Sequence, residues 1–385
     1  KAGSRLRIAA QLINVTDGFQ LWSEKYDREL DDVFAIQEDI ARMVVDKLKI
    51  TLIGKRPTEI IKRYTENLEA YNLYLQARFH LNKRTEEGLQ KGIAFCEQAI
   101  GLDPAYALAY AGLADGFALL GFQGFLPPQA TMPKAEQAAE KALTIDNDLA
   151  EAHTSLGCIR TVYDWNWPEA ERAFSRALEL NPNSATAHYW YGLWYLIPQR
   201  QFAQCLAEIQ KAQALDPLSL VLNAGIGWQY YFARDFDRAI DALQKTLEMD
   251  ENFIFALDIL GQAYTQKGMH SQAIAELEKA VALSGRRTLS LGALGHAYAL
   301  AGKRDAAQKI IDELQALASQ KYVSAYDMAL VYTGMGEKAK ALDWLDQAYQ
   351  EHNGWLVFLN VEPRFDGLRQ QDRFTALLKK VGLQN

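Results

Sequence analysis

Cysteine is scarce in this 385-residue chain: Cys96, Cys158 and Cys205 stand far apart, with no Cys-x-x-Cys pair. An odd count at such spacing argues against a disulfide framework or a zinc site and fits a reducing compartment. Long apolar runs are missing as well. None approaches the roughly 20 residues a membrane helix requires, and the first residues show no signal-peptide pattern, so no membrane insertion by this stretch is expected. Positive charge is in deficit: 41 Lys and Arg face 48 Asp and Glu, a formal net charge of −7, which argues against a nucleic-acid surface. The six histidines are scattered. No metalloprotease helix motif, Gly-rich phosphate loop or nucleophile elbow occurs, so catalytic, cofactor and metal residues are all expected to be absent.

What is present is a period. Apolar residues make up 49% and charged residues 23% of the chain, as in a folded protein, and 385 residues exceed what one hydrophobic core usually fills. Small residues recur at Gly157, Gly192, Gly227, Gly261, Gly295 and Ala329, in steps of 35, 35, 34, 34 and 34. A second row runs Ala170, Cys205, Ala239, Ala273, Ala307 and Ala341, and a third runs from Ala99 and Ala142 to Ala348. An aromatic stands three residues after the first row, at Tyr195, Tyr230, Tyr264, Tyr298 and Tyr332. Such a period marks a stacked array of supersecondary units.

One unit shows the physics. Leu257, Leu260, Gly261 and Tyr264 share a helical face, Lys267-Gly268 stops that helix, and a second helix turns Ala273, Leu277 and Ala280 inward. Two antiparallel helices approach closely only where one surface lacks bulk. The 34-residue unit resembles the tetratricopeptide repeat, with about eight units over residues 68–353. The resemblance implies a mainly α fold: an α-α superhelix, with a small N-terminal β-hairpin plus helix and a C-terminal helical cap over residues 354–385. In the second unit, "GFQGFLPPQATMPK" (121–134) is expected to be an irregular loop.

The head, residues 1–53, departs from the period. Leu6, Ile8, Ala10 and Leu12 alternate with Arg5, Arg7, Ala9 and Gln11 as in a strand; Asp17-Gly18 makes a turn, and "FQLWSEKY" returns. A helix from Asp32 carries Val33, Ile36, Ile40, Val44 and Leu48 on one stripe, and residues 54–67 form a linker containing Gly54 to Pro57. The cluster Glu24, Asp27, Glu29, Asp31 and Asp32 raises the question of a catalytic or metal site. Two strands and a helix offer no dry pocket for an acid or base, so it is expected to be a strand end and a helix start. "RLRIAAQLINVTDGFQLWSEKYDRELDDVFAIQEDIA" resembles the end of a TolB-like domain found beside such arrays in bacterial signalling proteins. That resemblance implies a regulatory module whose effector, such as a nucleotide cyclase or a serine/threonine kinase, lies outside this chain. The chain begins with Lys1 rather than Met, which also predicts a piece of a longer protein. A cytoplasmic location is expected, or a periplasmic one if a membrane segment precedes.

His153 and His188 fall at one repeat position and are expected to pack rather than bind metal. The resemblance implies instead a non-catalytic scaffold whose first helices line a concave groove. The groove positions are Tyr189, Leu193, Trp228, Tyr231, Phe232, Phe255, Asp258, Gln262, His296 and Tyr326, where aromatics would anchor a peptide or helix of a partner. Trp228→Ala is then expected to weaken partner capture and leave thermal unfolding nearly unchanged. The alternative for these rings is burial against the array's own neighbours. The positions that hold acidic C-termini in one subgroup of this family are aromatic or aliphatic here, so an acidic C-terminal peptide is not the expected ligand. Self-association, as a homodimer, is the remaining expectation.

Overall fold

A computed structural model describes residues 5–13, 20–29, 36, 39–40 and 64–383. The chain divides into two compact units, Lys1–Tyr71 and Asn72–Asn385.

In the first unit, β1 (Arg5–Ile13) pairs antiparallel with β2 (Gln20–Glu29), in a register that sets Ile8 opposite Tyr26 and Arg7 opposite Asp27. Tyr26 and Ile36 are buried, whereas Arg7 and Asp27 form an exposed ion pair at 2.7 Å. Asp27 is thus a strand residue held by its cross-strand neighbour. The Asp17-Gly18 turn, Asp31, Asp32 and the Gly54 to Pro57 stretch lie outside the described residues. Of the expected helix, Ile36, Asp39 and Ile40 are described, and all three are helical.

The array consists of eight helical hairpins: α1 (Leu68–Leu81) with α2 (Glu86–Leu102), α3 (Ala107–Phe122) with α4 (Pro128–Ile145), α5 (Ala150–Val162) with α6 (Trp167–Leu180), α7 (Ala185–Trp190) with α8 (Phe202–Leu215), α9 (Leu220–Phe232) with α10 (Phe236–Met249), α11 (Ile254–Gln266) with α12 (His270–Leu283), α13 (Thr288–Leu300) with α14 (Arg304–Leu317), and α15 (Ala325–Gly334) with α16 (Lys338–Gln350). α7 runs on as a π-helical turn, Tyr191–Leu196. α17 (Asp372–Lys380) lies beyond the last hairpin.

The small-residue rows are where the paired helices meet. A Cβ on Gly227 would lie 2.5 Å from Leu243 Cγ on the facing helix, and Gly261 meets Leu277 in the same way. Ala170, Cys205, Ala239, Ala273, Ala307 and Ala341 are all fully buried. The turn between the two helices of a unit requires one residue in the left-handed region. Gly268, Gly302 and Gly336 supply it in late units, whereas Arg84, Trp165, Arg200 and Arg234 adopt φ of 53–64° in earlier ones. Glycine takes that conformation freely, and other residues give up about 1–2 kcal/mol.

The second unit corrects the expected irregular loop over 121–134. α4 already begins at Pro128, so the connection shrinks to residues 123–127. Pro128 sits at a helix start, where its missing N–H goes unused, and the helix carries Pro133 one turn later, beside the buried Thr131 and Met132.

Candidate functional site

The inner face of the array is built by the first helices and by the C-terminal segment beyond α16. His352 turns the chain with φ of 51°, and Asn353 caps the next turn by accepting from the Trp355 amide at 3.0 Å. Two short 3-10 turns come next, Gly354–Phe358 and Pro363–Leu368. Every residue from 353 to 365 is buried. A segment that only covered the last hairpin would leave its outer side wet, whereas this one runs through the interior. Trp355 donates its ring N–H to the Phe122 carbonyl at 2.9 Å and stacks on Phe122 with centroids 5.0 Å apart. Phe358 stacks on Phe232 at 4.8 Å and meets Trp228 at 5.3 Å. Farther along, Trp167 donates to the Val381 carbonyl at 2.9 Å. The C-terminal segment therefore ties the second, third and fifth hairpins to the last one.

This packing places nine of the ten expected groove residues under cover. Tyr189, Leu193, Trp228, Tyr231, Phe232, Asp258, Gln262, His296 and Tyr326 are all buried, and only Phe255 is half-buried. Trp228, Tyr231, Phe232 and Tyr326 converge on residues 355–365, so the side chains expected to face a partner face the chain's own C-terminal segment. The physical reason is geometric. A superhelix of eight hairpins encloses its concave side, and an aromatic lining there is stable only when something apolar fills it.

Charge is buried with the rings. Glu362 accepts from the Tyr231 hydroxyl at 2.7 Å and pairs with Arg364, also at 2.7 Å, with both ionic side chains inaccessible. Burial alone would raise the Glu362 carboxyl, but Arg364 reverses that and leaves it below the ordinary value. Asp258 accepts from the Ser290 hydroxyl at 3.0 Å, and burial pushes it up to about 6. Burial likewise raises Asp327 to about 7 and lowers His296, which has Arg364 nearby, to about 4.

Beside this plug remains a cavity of about 680 Å³, reached by Tyr189, Trp228 and Phe255 of the expected set and by Arg84 and Arg287, which the helical-face pattern does not reveal because both lie in turns.

His153 and His188 each hold a turn. His153 contacts the Asn147 carbonyl at 3.0 Å, His188 contacts the Pro182 carbonyl at 2.8 Å, and Asn223 donates to the Pro217 carbonyl at 3.0 Å. Each side chain holds the turn six residues before it. The other ring nitrogen of His188 meets Glu208 at 2.5 Å. Cys96, Cys158 and Cys205 are buried free thiols that burial makes harder to ionise. Among the described residues no three His, Cys, Asp or Glu side chains gather as metal ligands, and no helix is long and apolar enough to cross a membrane.

Comparison with known proteins adds relatives. Over 160 residues the chain is 30% identical to the putative adenylate cyclase 3 of Rhizobium meliloti (strain 1021), covering 40% of this chain and 27% of that protein. Over 207 residues it is 26% identical to the transcriptional regulator HilA of Salmonella typhimurium, covering 53% of this chain and 37% of that protein. The chain thus spans about a third or less of the length of these curated relatives. Among solved structures, the Cut9–Hcn1 hetero-tetramer of the APC/C aligns over 91% of this chain and 59% of its own, with a TM-score of 0.55 and 17% identity, a likeness of fold. The tetratricopeptide repeat pattern matches residues 256–286, which hold most of α11 and all of α12. Since that unit is repeated in register by its neighbours, the helical array is one of tetratricopeptide repeats.

Proposed function

We propose that this chain is a non-catalytic protein-interaction scaffold, the regulatory module of a larger bacterial signalling protein. Support comes from the unlike names of its relatives: stretches of one chain recur in a putative adenylate cyclase and in a transcriptional regulator. Relatives with two such different outputs suit a chain that supplies neither chemistry itself. The cyclase match also favours a second reading, in which the module regulates a nucleotide cyclase whose catalytic domain lies outside this chain.

The observation that carries the scaffold reading is a row of exposed apolar residues. Leu215, Met249 and Leu283, 43–45% exposed, end α8, α10 and α12 at steps of 34 residues. Aligned along stacked hairpins, they form an apolar rim, and Leu283 borders the cavity that Phe255 also reaches. A contiguous apolar strip suits the apolar face of a partner helix or an extended segment. Of the expected groove residues, half-buried Phe255, which lines the same cavity as Leu283, is the one left to reach the partner. The test is photo-cross-linking from p-benzoylphenylalanine placed at Leu215 and Met249, with exposed Gln272 at the opposite end of α12 as control. A discrete adduct at the rim positions that Leu283→Asp abolishes is expected. Absence of any adduct, or equal adducts from Gln272, refutes the reading.

A further inference from the structure

The cavity of about 680 Å³ is of the size that takes small organic molecules, roughly 300–1,000 Å³. Much of its wall is ring: Phe122, Phe125, Trp194, Trp228, Phe255 and Trp355. Into this apolar wall come two arginines, Arg84 from the turn between α1 and α2 and Arg287 from the turn before α13. The Nε atoms of both are buried without a hydrogen-bond acceptor. Arg287 has the Gln123 carbonyl at 3.4 Å and the face of Phe125 at 5.1 Å, and no carboxylate pairs with either guanidinium among the described residues. Burial holds both groups below the ordinary arginine value. Asp258 and Asp327 act on Arg287, and Asp115 on Arg84, through space, yet none forms an ion pair with them and burial favours the protonated form of all three carboxyls, so an anion is still called for.

The acidic residues of the wall do not meet that demand. Glu86, Glu87 and Asp250 are exposed at the rim. Glu87 pairs with Lys91 at 2.5 Å, Glu86 accepts from Gln90 at 3.4 Å, and Asp250 accepts from the Asn252 amide at 2.9 Å. Exposed Lys83 and Lys321 add positive charge to the same wall. The cavity wall is therefore cationic and aromatic, although the chain as a whole is acidic.

We propose that this cavity binds a small organic anion, a carboxylate or phosphate carried on a flat apolar body, with the anionic group paired to Arg84 and Arg287 and the body against the rings. The site adjoins the rim at Leu283 and Phe255, but its test needs no protein partner. The whole chain is titrated with 8-anilinonaphthalene-1-sulfonate and with the uncharged N-phenyl-1-naphthylamine, monitoring probe emission and quenching of the tryptophans. One sulfonate per chain is expected, bound about tenfold or more tighter than the neutral probe, as for a hydrogen bond to a charged group. Arg84→Gln and Arg287→Gln should each weaken the sulfonate about tenfold and leave the neutral probe unchanged. Displacement by 1-naphthoate or by 1-naphthyl phosphate supports the site and reports its head group; displacement by neither refutes it. Should an arginine variant melt early, exposed Lys321→Glu carries the test, with a severalfold loss for the sulfonate alone. Equal binding of the two probes, several equivalent sites, or unchanged affinity in folded variants overturns the proposal.

Discussion

Trp228 is the residue at which an open groove and a plugged one differ most. It is 3% exposed, and four rings surround it: Phe255 at 5.3 Å, Phe358 at 5.3 Å, Phe232 at 5.4 Å and Trp355 at 5.6 Å. Two of these belong to α9 and α11, and two arrive from the C-terminal segment. Truncation to alanine removes a buried indole whose site resists collapse, because its neighbour Trp355 is itself held by Phe122 and Tyr326 and Phe358 is stacked on Phe232. The expected loss is about 3–5 kcal/mol, a large fraction of the roughly 5–15 kcal/mol that holds a domain together. Urea unfolding monitored by circular dichroism measures it, with Phe79→Ala on the exposed face of α1, 63% accessible, as a control expected to change little. Repeat arrays can unfold in parts, so the transition should be monitored by helix content and by tryptophan emission. A loss for Trp228→Ala no greater than that of the control would refute the plugged interior and restore Trp228 as a surface anchor.

The same packing sets three further outcomes. Removing residues 354–385 should lower the thermal midpoint and expose the inner aromatics; an unchanged midpoint would mean that the segment does not stabilise the array. Asp327, raised to about 7 by burial, keeps its proton in the folded state where the unfolded chain, near 3.8, has lost it, so its contribution makes stability fall as pH rises from about 4 to 7. His296, lowered from 6.5 to about 4, acts in the opposite sense below pH 6.5, so the readout is the difference between the parent and Asp327→Asn at each pH, which should grow in the variant's favour toward pH 8. Arg200 is exposed and holds φ of 61°; Arg200→Gly should be stabilising by up to about 1 kcal/mol, the relieved strain less the added freedom of the unfolded chain, and a melting point lowered by several degrees would contradict this.

The hairpins are legible because their contacts are local. Gly261 and Leu277 are 16 residues apart, and the pairing repeats at 34-residue steps, so a single chain displays the same solution many times. The left-handed turns are half legible. Gly268, Gly302 and Gly336 announce theirs, whereas Arg84, Trp165, Arg200 and Arg234 occupy the same place with residues that carry no such signal. Arg84 illustrates the consequence, since a charged turn residue reads as surface until the fold carries it inside.

From the sequence alone come the period, the helix pairs, the identity of the packing rows and the aromatic character of the inner stripe. Tertiary structure alone decides what that stripe touches. Trp355 bonds to a carbonyl 233 residues away, and Tyr231 to a carboxylate 131 residues away. Such contacts depend on the small rotation between adjacent hairpins, accumulated over the whole array, and no residue pattern within one unit encodes that sum. The same accumulation brings Arg84 and Arg287 to one cavity wall, a cationic patch in an acidic chain.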